Sequence, residues 1–272
     1  MHFAKHRGLR HGRSLVLHPC TRREAVTLIE LLVVLAIVAV LVSGLMPALS
    51  FRRQAAHDLK CRANMRNVIM GFDEFADPSA AGRRGDSDRL GPNRFLIEDF
   101  QESMYKASEF WEGSLSQRQT IQANEQSMVC PAGPTQLFRK SGVPCDSGGV
   151  GPAKNITFGF NMRLHTLTRF IEDKAFGSKA VLTDKLLTMA DVPLLLDVDG
   201  DAADTRSAMP YYTAPPISRA AKRDIYASSH FWFPALRHRS RMNIGYIGGH
   251  VLSTANPLSE PWTRWEYQPD AP

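Results

Sequence analysis

The chain has 272 residues, with 33 Lys and Arg against 27 Asp and Glu, a formal net charge of +6. Six of those cations (Lys5, Arg7, Arg10, Arg13, Arg22 and Arg23) lie in the first 25 residues against Glu24 alone, leaving 27 basic and 26 acidic groups for the rest. The basic balance therefore belongs to the N-terminus and gives little ground for a nucleic-acid-binding surface elsewhere.

After this basic segment comes an apolar stretch. From residue 28 to 46 the only charged residue is Glu30 and the only other polar one is Ser43. That length suits a bilayer span, which needs about 20 apolar residues. A carboxylate near the start of a membrane helix is expensive unless something neutralises it, so Glu30 marks a functional position. Residues 50–76 contain no Pro and one Gly, and Ala55, Leu59, Met65, Ile69, Phe72 and Ala76 recur at roughly helical spacing, with Arg62 a break. The spacing predicts one long helix from about 26 to 75, bent but not ended by Pro47.

Residues 77–94 read as a loop, rich in Gly, Pro, Asp and Ser. A second helix is expected within 95–126, with Ile97, Phe100, Met104, Trp111 and Leu115 near one face. Residues 128–154, with Pro131, Pro134 and Pro144, read as an irregular excursion. Strand signals fall later, at 156–160 and 193–198. The best hairpin spans 242–253, with Gly248-Gly249 supplying positive φ for a two-residue primed turn. The residues beyond the spine are numerous enough to bury one core.

Two strings carry a resemblance. Ala25-Val26-Thr27-Leu28-Ile29-Glu30 resembles the cleavage signal of type IV prepilins and type II secretion pseudopilins. Glu30 falls fifth after Ala25 and Pro47 twenty-second, where that family commonly has a glutamate and a proline. Ala25 stands for the usual glycine and Val26 for the usual phenylalanine or methionine. At the other end, His238, nine residues, then Gly248-Gly249-His250-Val251 resembles the His-x9-Asp-Gly pattern of planctomycete-type prepilin-like proteins, with Gly248 in place of the Asp. The resemblance implies an α+β, type IV pilin-like fold: a long N-terminal helix and a C-terminal head containing a small antiparallel sheet. It divides the chain into a leader (1–25), a spine helix (26–76, membrane segment about 28–49) and a head (77–272). It also implies cleavage between Ala25 and Val26 by prepilin peptidase, methylation of the new amine, and assembly with copies of itself at an inner-membrane platform. The head would be periplasmic. That N-in orientation rests on the resemblance, because Arg52, Arg53, Lys60, Arg62 and Arg66 nearly balance the leader charge.

No enzyme motif emerges: Gly-x-Ser-x-Gly and His-Glu-x-x-His are both missing, and the glycines at 248–249 suit a turn rather than a phosphate loop. Three readings concern metals and thiols. His230, His238 and His250 could converge on zinc or simply lie on the surface. Asp197, Asp199, Asp201 and Asp204 alternate around Gly200, suiting a hard cation such as calcium, without EF-hand spacing; an Asp-rich turn is the alternative. The pseudopilin resemblance favours calcium there. Cys20 leaves with the leader; Cys130 and Cys145 could close a ~15-residue loop worth about 3 kcal/mol, Cys61 could pair with either, or all three could stay thiols.

The sequence thus implies a structural subunit of a type II secretion pseudopilus or type IV pilus-like filament, not an enzyme. The rival is a membrane-anchored extracytoplasmic binding or carbohydrate-interacting domain on a pilin-like anchor.

Overall fold

The computed structural model describes residues 26–105, 119–120, 129–133, 136–137, 157–172, 174–206, 208, 211–216 and 224–267. Helix α1, Leu28–Ala76, runs through Pro47 as one helix. Its contacts divide the chain after Leu49. In the first unit, the side chains described between Val26 and Leu49 are all exposed. This is the one helix among the described residues long and apolar enough to cross a membrane.

The second unit begins at Ser50 and so takes in the later half of α1, earlier than the expected head boundary at 77. The reason is burial. Cys61, Met65, Val68, Ile69, Phe72, Phe75 and Ala76 line one face at three- and four-residue spacing and are all buried in the head's core. The expected stripe needs correction at its start, since Ala55 and Leu59 are exposed and burial begins at Cys61. Ahead of Cys61 the helix meets the head through polar and cation–π contacts, Asp58 with Asn243 and His238 and Phe51 under Arg239, rather than through a buried apolar face.

The expected second helix is described over its first part only, residues 106–118 lying outside the described residues. Strand β1 (Arg94–Phe95) precedes α2, Ile97–Tyr105. Within the expected helix, β2 (Gln119–Thr120) pairs antiparallel with β3 (Gln136–Leu137). Met104, Trp111 and Leu115 fall outside the described side chains. Phe72 packs edge-on against Phe95 and Phe100, at ring distances of 5.9 and 5.2 Å, and Phe100 against Phe160 at 6.0 Å. These contacts tie α1, β1 and α2 to the sheet.

Further along come β4 (Phe158–Asn161), β5 (Thr166–Ile171), β6 (Lys174–Lys179), β7 (Leu182–Thr183) and β8 (Pro193–Asp197). Helix α3 is Gly200–Thr205, and β9 (Tyr212–Thr213), β10 (Met242–Tyr246) and β11 (Val251–Thr254) complete the order. The main sheet runs β11-β10-β8-β4-β9, antiparallel except for the β4–β9 edge. Strand β8 is central and buried throughout, which is why it reads as an unbroken apolar run. Gly245 lets α1 approach β10: a Cβ there would lie 2.9 Å from Leu195 and 3.0 Å from Ile69. The long helix followed by antiparallel sheets is the α+β, pilin-like arrangement.

The C-terminal hairpin forms, but its turn differs from the two-residue one expected. Gly245 pairs with Val251, and Ile247, Gly248 and Gly249 form a three-residue loop with only Gly249 at positive φ (+86°). This is a type I-like turn closed by a left-handed glycine. Gly248 serves close approach instead, because a Cβ there would fall 2.8 Å from the Ala190 Cα. A primed turn lies just before β10: Arg239 and Ser240 have φ of +54° and +59°, and His238 and Arg241 exchange two backbone hydrogen bonds around them.

Candidate functional site

Two places concentrate chemistry. At the N-terminal end, Thr27 and Glu30 form a reciprocal cap. The Thr27 amide donates to Glu30 Oε2 at 2.9 Å, its hydroxyl to the same oxygen at 3.0 Å, and the Glu30 amide donates to Thr27 Oγ1 at 3.3 Å. This is a Thr-x-x-Glu capping box at the start of α1. Val26 lies just before it and is exposed. Ala25 lies outside the described residues. Glu30 thus has a local role that its isolation in an apolar stretch did not suggest.

The second place is inside the head. Cys61, Cys130, Asp197 and His238 present one ligand-type atom each, all within 4.8 Å of one another. Cys61 holds the first fully buried position on α1. Cys130 sits in a turn held by its own amide, which donates to Thr157 Oγ1 at 2.7 Å, and by Asn64 Nδ2, which donates to the neighbouring Val129 carbonyl at 2.9 Å. Asp197 ends β8 and accepts the Asn243 amide of β10 at 2.8 Å. His238 opens the primed turn. Positive φ at two non-glycine residues costs free energy and is found where the surroundings enforce it.

The separations are close. The Cys61 thiol lies 3.6 Å from Asp197 Oδ1, Cys130 Sγ 3.3 Å from His238 Nε2, and His238 Nε2 3.5 Å from Asp197 Oδ2. Around them, Asn243 Nδ2 donates to Asp58 Oδ1 at 3.0 Å and to Cys61 Sγ at 3.5 Å. His238 Nδ1 lies 3.6 Å from Asp58 Oδ1, and Arg237 Nη1 lies 3.9 Å from Asp197 Oδ1. Cys61, Cys130 and Asp197 are 0% exposed and His238 6%.

Dry surroundings set the proton affinities. The neighbouring Cys61 thiol, then the His238 ring, pull Cys130 down to about 5 against the cost of burial. Cys61 is pushed up, first by its neighbour Cys130 and then by burial. Burial, then the charge on Cys130, push the Asp197 carboxyl up to about 7. Burial opposes the charged form of His238, yet Cys130, Asp197 and Asp58 together raise its pKa. A Cys130–His238–Asp58 line resembles a nucleophilic triad, but a fully buried sulfur has no access to a substrate. The donor set suits a thiophilic metal ion or a disulfide.

The residues singled out from sequence are distributed differently. Asp197 points into this cluster, whereas Asp199 Oδ1 accepts from the amides of Asp201 and Ala202 and caps α3. Asp201 is exposed, and the Asp204 side chain lies outside the described residues. Asp197, Asp199 and Asp201 are therefore not brought together on one centre. Cys145 also lies outside the described residues, while Cys130 neighbours Cys61, and both are free thiols. His230 packs against Phe231, and exposed His250 stacks on Tyr246 at 4.4 Å, so only His238 of the three enters the cluster.

Residues 20–46 match the family model for the prokaryotic N-terminal methylation motif. Neither a curated protein nor a solved structure matches the chain. The motif supports a type IV pilin-like chain that is a substrate of prepilin peptidase, of the kind that serves as a structural subunit. With the apolar helix that continues from it, the motif is consistent with a single-pass membrane anchor.

Proposed function

We propose that the chain is a subunit of a type II secretion pseudopilus or type IV pilus-like filament, with its head in the periplasm. One observation carries this reading: a lone carboxylate, Glu30, starts a helix whose residues 28–49 expose an otherwise apolar surface. In a helical bundle those surfaces pack together, and Glu30 neutralises the amine that cleavage creates on Val26 of a neighbouring subunit. The His238 to Gly248 spacing adds a leaning toward the planctomycete-type prepilin-like proteins. The partners are then other copies of the chain, prepilin peptidase and an inner-membrane assembly platform.

The test is co-expression with a prepilin peptidase and an assembly platform, followed by shearing and blotting. A filament subunit appears, processed, in a high-molecular-weight sheared or periplasmic fraction. A chain that stays monomeric in the membrane under conditions where a control pilin assembles is instead a binding domain on a pilin-like anchor.

A further inference from the structure

We propose that Cys61, Cys130, Asp197 and His238 bind one zinc ion in a closed, four-ligand structural site that fixes the head-packed half of α1 to the main sheet. The four donor atoms lie within 4.8 Å of one another, close enough to share one tetrahedral ion. Zinc–sulfur bonds of about 2.3 Å and zinc–nitrogen or –oxygen bonds of about 2.0–2.2 Å place tetrahedral ligands roughly 3.3–3.8 Å apart. The Cys130–His238, His238–Asp197 and Cys61–Asp197 separations of 3.3, 3.5 and 3.6 Å fall in that range, the last two through different Asp197 oxygens, and no pair of donors exceeds 4.8 Å.

The donor types narrow the metal. Two thiols and an imidazole favour zinc or another thiophilic ion over calcium, and a carboxylate as fourth ligand suits zinc better than copper(I). Burial defines the role. With every ligand residue at most 6% exposed, no open position remains for water or substrate, as expected of a structural rather than catalytic centre. A second layer is also present. Asp58 faces the far nitrogen of His238 at 3.6 Å, the relation that orients metal-bound histidines, and Arg237 approaches Asp197 at 3.9 Å to offset surplus negative charge. A cleft of about 390 Å³, lined by Gln54, Asp58, Arg62 and Arg237 among others, opens onto His238 and gives an entry path.

A Cys61–Cys130 disulfide is the rival. It would explain two of the four residues and leave the fully buried Asp197 carboxylate and His238 outside the bond, with Arg237 no nearer to Asp197 than 3.9 Å. Zinc explains all four. Binding releases to solvent the protons that the two sulfurs and the His238 ring still carry at the coordinating atoms, and involves no electron transfer.

The experiment takes the detergent-solubilised full chain, purified without chelator or strong reductant, and measures metal by mass spectrometry and thiols by intact mass. The expected result is about one zinc per chain, falling at least tenfold in Cys61→Ser and His238→Ala but retained in Asp199→Asn. Because the ligand variants could fail to fold, the unaltered chain is also stripped with a zinc chelator. Its Tm should fall by about 5 °C or more and recover on adding zinc. Cobalt in place of zinc should give thiolate-to-cobalt charge-transfer absorption. A Cys61–Cys130 disulfide overturns the proposal. So does a chain with neither disulfide nor metal that takes up neither zinc nor cobalt, and so does bound zinc that survives loss of Cys61 and His238.

Discussion

Thr27 and Glu30 hold each other at the start of α1, with amide and hydroxyl of Thr27 on one carboxylate oxygen and the Glu30 amide on the hydroxyl. The pair gives Glu30 two separable jobs: capping a helix, which glutamine also does, and carrying charge, which glutamine does not. If charge drives assembly, Glu30→Gln and Glu30→Ala should both abolish filaments while membrane abundance and processing stay normal. The cap alone acts on one exposed helix end and should not stop growth. A subunit left with an unpaired amine in the bundle core faces a penalty of roughly 3–5 kcal/mol. Normal sheared-filament yield from Glu30→Gln would refute the pairing and leave the cap as the role of Glu30.

Arg84 lies in the segment that reads as a plain loop, yet it is 1% exposed. It donates to the carbonyls of Phe75 and Pro92 at 2.7 and 2.8 Å and to that of Asp77, and its guanidinium lies over the Phe75 and Phe95 rings. It therefore ties off the C-terminal end of α1. Arg84→Met should preserve bulk but strand those carbonyls, costing on the order of 3 kcal/mol in urea unfolding of the solubilised chain. A loss under about 1 kcal/mol would mean that water replaces the guanidinium there.

Glu98 on α2 bonds His165 Nε2 and Lys179 Nζ, each at 2.6 Å. His165 first, with Lys179 aiding against the cost of burial, holds the carboxyl down to about 2 from an ordinary 4.5. A folded pKa below the unfolded one stabilises fully above pH 4.5, and that stability is lost as pH falls toward 2. Since the side chain is 33% exposed, solvent screening reduces the contribution to about 1–2 kcal/mol. The stability gap between the unaltered chain and Glu98→Gln, measured by urea unfolding, should shrink by about half or more between pH 7 and pH 3. A gap that stays constant would place the effect in packing.

What could be read from the sequence was contiguous. The signal at 25–30 and the apolar run after it need only adjacent residues, and β8 and the β10–β11 hairpin announce themselves by local pattern. The buried cluster could not be read that way. Its members are 69, 67 and 41 residues apart, drawn from a helix, a turn, a strand end and a primed turn, so no spacing relates them. Adjacency misled instead, grouping Asp197 with Asp199 when one ends a buried strand and the other caps a helix. A carboxylate closing the apolar run Pro193–Asp197 was the available signal, since a central strand buries its last residue too. Arg84 was hidden for a similar reason: loop composition says nothing about which side chain turns inward.

The central claim is that this chain is processed as a prepilin. Leu in place of Ala25 should block cleavage and accumulate a membrane-bound precursor. The most direct measurement is the intact mass of the native protein from cells with active prepilin peptidase. The expected mass is that of a chain beginning at Val26 and carrying one added methyl group on its amine. A mass that retains residues 1–25 in those cells would contradict it.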